Sequence, residues 1–205
     1  MASPPPFFEE TQAVEQLEEK ARSAPETRAE VITELMKMVG DATQIPEVRM
    51  AAAEALGNLK ATEAKGMLNS LASSLDMKLE ENRLLHSPIA AAYWKIIVAE
   101  QPDEAAQEEL LMALLSPHAL PPQSPLVWSW AIDELANRGV ERALPRMLEC
   151  IDRRLGENKQ AEYEKWLCET KVKLLASNSE RRIALEKALV TPRSRSVSEA
   201  EVLGD

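Results

Sequence analysis

The stretch Pro46–Leu71, PEVRMAAAEALGNLKATEAKGMLNSL, constrains this chain most. Apolar residues recur at Val48, Ala52, Ala55, Leu56 and Leu59, and again at Ala64, Met67, Leu68 and Leu71. Both sets follow the helical period, and Gly57–Thr62 separates them. The spacing predicts a short helix, a tight turn and a second helix, with alanines on the first letting the second approach closely. A hairpin of this size buries too little apolar surface to fold alone, so it must stack on others of its kind.

The rest of the chain supplies them. Glu9–Arg22 reads as a helix with Ala13, Val14, Leu17 and Ala21 inward. Ser23-Ala24-Pro25-Glu26 has the form of a capping box. The helix it opens carries Val31, Ile32, Leu35, Met36 and Val39 on one face, with Gly40 as a left-handed stop. Thr62–Leu75 is the second helix of the opening pair, and whether Thr62–His86 is one helix or two stays open. Ser87-Pro88 has the form of a helix start, a hydroxyl cap followed by a proline whose missing N–H costs nothing there. That helix carries Ile89, Tyr93, Trp94, Ile96 and Ile97. Pro102-Asp103 opens another, which packs Leu110, Leu111, Leu114 and Leu115.

Ser116–Ser124, with Pro117, Pro121 and Pro122, is a stiff connector. Ser124-Pro125 repeats the cap-then-proline start, and Gly139 closes that helix. Val140–Leu155 turns Leu144, Met147, Leu148, Ile151 and Leu155 inward, and Gly156 closes it. Glu157–Ala176 and Asn178–Val190 read as two long charged helices. The domain so delimited is 9–190. It follows a flexible leader, 1–8, whose Phe7 and Phe8 cover the end of the core. Thr191–Asp205 is polar and aperiodic, and reads as a disordered tail.

An internal repeat runs through this pattern. Pro46-x-Val48, Ala52 and Leu56-x-Asn58 match Pro125-x-Val127, Ala131 and Leu135-x-Asn137. Met67-Leu68 and Leu71 match Met147-Leu148 and Ile151 with one residue added in the turn. A third copy starts at Pro88. The starts at 46, 88 and 125 fall near the ~40–47-residue period of two-helix solenoids.

Asp41 followed by Pro46-Glu47-Val48-Arg49, then Ala52 and Ala55-Leu56-Gly57, resembles the HEAT-like repeat, above all the short form found in phycobilin-lyase-related proteins. The likeness is best over Asp41–Leu71. Ala143-Leu144-Pro145-x-Met147-Leu148 resembles the second helix of such a repeat, and the likeness extends over Pro25–Leu155 and more weakly to Val190. It implies an all-α fold, an α-α superhelix: a short right-handed solenoid of about five helical hairpins, with second helices lining the concave side. It assigns Asp41 and Arg49 to the support of adjacent turns. Trp128 stands at the Arg49 position in the Pro125 copy, which breaks that ladder. Most members of the family bind proteins; a minority bind nucleic acid or carry out chemistry.

Charge narrows the partner. The net formal charge of −10 disfavours duplex nucleic acid and anionic membrane. Residues 1–137 carry 10 basic and 22 acidic side chains, whereas residues 138–195 carry 14 basic and 9 acidic. Such polarity could orient a partner, although drift along a solvated surface would look the same. Met1–Pro6 lacks the form of a signal peptide, and no apolar run approaches the ~20 residues of a membrane span. Cys150 and Cys168 make no metal spacing. Those features together predict a cytoplasmic protein.

Candidate binding residues fall in the C-terminal half. Arg142, Arg146 and Arg153 recur with Glu149 on one helical face, opposite Leu144, Leu148 and Ile151. Arg181 and Arg182 extend the patch. Guanidinium groups bond carboxylate or phosphate bidentately, so the patch suits an acidic or phosphorylated segment. A solvated face paired to Glu149 is the alternative. Trp128 and Trp130 diverge by about 160° around their helix, so they cannot share one core face; one is a candidate exposed anchor. The alternative packs one on the preceding repeat and the other under the connector. His86 and His118 lack the spacing of a metal site, and Cys150 and Cys168 read as small core residues. Arginines three and five residues before Ser198 suit a basophilic kinase, against the default of a solvated tail.

No phosphate-binding glycine loop, nucleophile elbow or metalloprotease helix is present in the sequence. Trp130, Asp133 and Arg146 invite comparison with HEAT-like DNA glycosylases, but no extended motif supports it. The reading is therefore a non-enzymatic interaction module, an adaptor, scaffold or assembly factor that binds a partner segment in the concave groove lined by second helices and needs no cofactor or metal. The alternatives are a HEAT-like enzyme (bilin lyase or DNA glycosylase class) and a regulatory subunit dedicated to one enzyme.

Overall fold

A computed structural model describes residues 8–116 and 124–151. The leader to Phe7, the connector with His118, and everything after Ile151 lie outside the described residues, as do the candidates Arg153, Arg181, Arg182, Cys168 and Ser198. Helices α1 (Phe8–Ser23) and α2 (Arg28–Gly40) form the first pair. α3 (Pro46–Asn58) and α4 (Lys65–Ser74) form the second. α5 (Glu80–Ala99) and α6 (Glu104–Leu114) form the third. α7 (Pro125–Asn137) is followed by α8 (Leu144–Cys150).

The fold is all-α and built of stacked helical hairpins. Odd helices run side by side, α1 on α3, α3 on α5 and α5 on α7. α2 packs on α3, α4 on α5 and α6 on α7, so each even helix also meets the odd helix that follows it. The apolar stripes explain this order. Val31, Ile32, Leu35 and Val39 of α2 are buried with Val48, Ala52 and Leu56 of α3 in one cluster. Leu111, Met112 and Leu114 of α6 are buried with Val127, Ala131 and Leu135 of α7 in another. α5 feeds both: Leu85, Ile89, Ala92 and Ile96 face the first cluster, Ala91 and Val98 the second. Ala13, expected inward on α1, is exposed instead, while Val14 and Ala21 are buried and Leu17 is half-buried.

Several local signals act as read. Asp103 caps α6 by accepting from the Ala106 N–H at 2.8 Å, and Ser124 caps α7 with Pro125 in its first turn. Gly139 closes α7 with φ +70°, the left-handed region that glycine tolerates.

Others are overridden. The Ser23 hydroxyl donates back to the Glu19 carbonyl at 2.8 Å, because α1 runs on through Ser23, and no capping box forms. A 3-10 turn at Pro25–Thr27 leads into α2. Gly40 is still helical, and the chain leaves through Asp41 at φ −78° rather than by a left-handed stop. Thr62–His86 holds a helix end at Ser74 and a new start at Glu80, and α5 continues through Pro88 instead of beginning there. Proline inside a helix costs about 3 kcal/mol or more. The stripe Leu85, Ile89, Ala92 and Ile96, each at most 1% exposed, spans the proline and offsets that cost by keeping both halves buried. Leu84, whose carbonyl loses its helical donor, has a side chain 56% exposed.

Candidate functional site

The turns reveal the register of the repeat. After α3, the Lys60 N–H donates to the Gly57 carbonyl and the Ala61 N–H to the Leu56 carbonyl, both at 3.0 Å. After α7, the Gly139 N–H donates to the Ala136 carbonyl at 3.0 Å and the Val140 N–H to the Leu135 carbonyl at 3.1 Å. Lys60 and Gly139 both take positive φ, 53° and 70°. A 3-10 turn follows each, Thr62–Ala64 and Glu141–Ala143. The shift from Pro46 to Pro125, 79 residues, thus carries unbroken into the second helices. Met147 takes the place of Leu68, both fully buried. No residue is added in the turn, contrary to the pairing of Met67-Leu68 with Met147-Leu148. α5 ends the same way, the Gln101 N–H on the Val98 carbonyl at 3.2 Å, in a register that puts Pro88 at the Glu47 position rather than at Pro46.

A groove of about 480 Å³ lies across α3, α5 and α7. α3 contributes Glu47, Met50, Ala51 and Glu54; α5 contributes Pro88, Ala91, Ala92 and Lys95; α7 contributes Leu126, Ser129, Trp130 and Asp133. Each set is an i, i+3, i+4, i+7 stripe, and the stripes occupy the same positions of three successive repeats. The groove is therefore a product of the repeat itself, but first helices line it, not the second helices expected to line the concave side, because it is the odd helices that stand side by side.

Segment 48–71 matches the PBS lyase HEAT-like repeat. This HEAT-like segment supplies the α3 wall of the groove from Met50 onward, and its turn is the one that recurs after α7. No curated protein and no solved structure matches the chain.

α3 and α5, two walls of the groove, pack closely where they cross. A Cβ on Gly57 would lie 2.8 Å from the Ala92 Cα, so glycine alone permits this α3–α5 crossing. Lys95 then reaches back across it, donating from Nζ to the Asn58 Oδ1 at 2.8 Å. Burial pushes the Lys95 ammonium below its ordinary pKa, opposed by the carboxylates of Glu54, Glu18, Glu134 and Asp133. Glu54, Lys95 and Asp133 thus form a row of alternating charge across the three helices.

Asp41 and Arg49 sit at the entry to the HEAT-like segment. The Asp41 carboxylate accepts from the Thr43 hydroxyl at 2.7 Å and its N–H at 2.9 Å, bonds that hold its pKa down. Arg49, 9% exposed, donates from Nε to the Val39 carbonyl at 3.0 Å, tying α3 to the last turn of α2.

The arginines named from sequence occupy a different surface. Arg142 pairs with Glu108 at 2.9 Å and with Glu109, joining the turn before α8 to α6. Arg146 is exposed on α8. Neither lines the groove. Trp128 and Trp130 are both half-buried against the C-terminal core, and Trp130 also lines the groove. Cys150 is buried. His86 is half-buried, which lowers its pKa. Among the described residues no cluster of three or more His, Cys, Asp or Glu could hold a metal, and no helix is long and apolar enough to cross a membrane.

Sequence reading missed the groove's α3 and α5 walls. The signal was present: Glu47, Met50, Ala51 and Glu54 are the face of α3 left over once the core stripe is removed. Only the stacking order, with α3, α5 and α7 side by side, turns three leftover faces into one concavity.

Proposed function

We propose that this protein is a non-enzymatic interaction module, an adaptor or assembly factor, that seats a segment of a partner protein in the groove across α3, α5 and α7. The observation that carries this reading is the groove's construction from equivalent stripes of three repeats, with Met50, Leu126 and Trp130 offering apolar contact. A preformed groove on packed helices loses little ordering entropy when a segment docks. Tryptophan flanked by small residues is the composition of an anchor pocket. Alongside this reading go a right-handed superhelix of about five hairpins and a cytoplasmic site of action.

Affinity capture with quantitative mass spectrometry tests the proposal, comparing the wild type with Ser129→Trp, which fills the groove, and Trp130→Ala, which removes its anchor. Both variants should keep the wild-type circular dichroism spectrum and lose the same stoichiometric partner. An unchanged partner set in both folded variants would rule the groove out.

A further inference from the structure

Resting on the groove reading above, we infer that the partner segment is cationic: a lysine or arginine set beside a bulky apolar residue. Among the described residues that line the groove, the carboxylates of Glu47 and Glu54 on α3 face one ammonium, Lys95. That ammonium is already engaged by Asn58 and is shared electrostatically among Glu54, Asp133, Glu18 and Glu134. Glu18 and Glu134 have cations of their own, Arg22 at 2.5 Å and Arg138 at 2.7 Å, just beyond the groove. Glu47, two helical turns from Glu54 along α3, stands apart from that network and has no ion pair among the described residues.

Position sharpens the chemistry. By the repeat register, Glu47 shares a row with Pro88 and Leu126, so a carboxylate stands in an apolar setting, and Leu126 is 36% exposed. An arriving ammonium or guanidinium meets Glu47 while the neighbouring apolar side chain covers Leu126 and Trp130. Carboxylate attraction is stronger where apolar groups displace water. An acidic segment would meet the same carboxylates as repulsion, which is discrimination against the wrong partner. At the Lys95 end the Glu54 carboxylate is already shared with a resident ammonium, so an arriving cation is directed to Glu47.

Random peptides about twelve residues long, displayed on phage and selected against the full chain, test this inference. Enriched peptides should pair lysine or arginine with leucine, methionine, phenylalanine or tryptophan. Measured by fluorescence anisotropy, their affinity should fall about tenfold in Glu47→Gln/Glu54→Gln, and this loss should shrink between about 50 mM and about 500 mM salt. Acidic or uncharged winners that still lose binding in Ser129→Trp overturn the cationic preference and leave the groove standing. Winners that bind Ser129→Trp and Trp130→Ala as tightly as the wild type overturn both readings, as does a selection with no winners.

Discussion

The two best-matched repeats, α3–α4 and α7–α8, share a backbone and differ in what holds it. Leu56 and Leu135 are both fully buried, and the turns that follow use the same hydrogen bonds. Yet the place of Arg49, tied to the Val39 carbonyl, is taken in the second copy by Trp128, which packs on the C-terminal core. Gly57, pressed on Ala92, becomes Ala136. Lys60, strained at φ 53°, becomes Gly139. Ala51 becomes Trp130. The shared part is what any stacked hairpin requires; the differing part shows each copy fitted to its own neighbours. The first copy sits inside the stack and must let α5 approach closely. The second turns its extra bulk, Trp130, into the groove.

Removing a core leucine probes the shared part and should have the largest effect. Leu56→Ala and Leu135→Ala should each cost about 2–5 kcal/mol, measured by urea denaturation. Similar costs would sharpen the equivalence, and a harmless change at either site would break it. Gly57→Ala probes the close crossing. The added methyl meets backbone, so α3 and α5 must move apart, at a cost of about 1–3 kcal/mol despite the better helix propensity of alanine. The reverse change in the second copy, Ala136→Gly, should cost only about 1 kcal/mol, from propensity. Equal effects at the two sites would mean that the crossing is not tight. The turn residues should give the smallest effects, with opposite signs. Lys60→Gly relieves left-handed strain and should stabilise by up to about 1 kcal/mol, whereas Gly139→Ala introduces it and should destabilise by about 1 kcal/mol. Two shifts of the same sign would separate the turns.

Periodic apolar residues made the helices and their hairpin stacking legible, and the best repeat was readable from Asp41 to Leu71. Caps were legible only where nothing competed. Asp103 and Ser124 bond forward to the helices they precede, while Ser23 lies within reach of the α1 carbonyls and bonds back to Glu19. Pro88 misled because burial of its flanking stripe outweighs the local loss of one hydrogen bond. Of the groove, Trp130 was visible as a candidate. Its neighbours were not, because Met50, Ala51 and Lys95 look like an ordinary solvent face until another helix stands opposite.

The sequence by itself determined helix, turn and repeat, because these depend on residues within a few positions of one another. The tertiary structure decided the exact register and which leftover faces converge. It also decided which charges share a cavity: Glu54, Lys95 and Asp133 are distant in the chain and become neighbours only when three helices pack side by side. Contacts of that range follow from how buried stripes stack, a property of the whole assembly of hairpins rather than of any one of them.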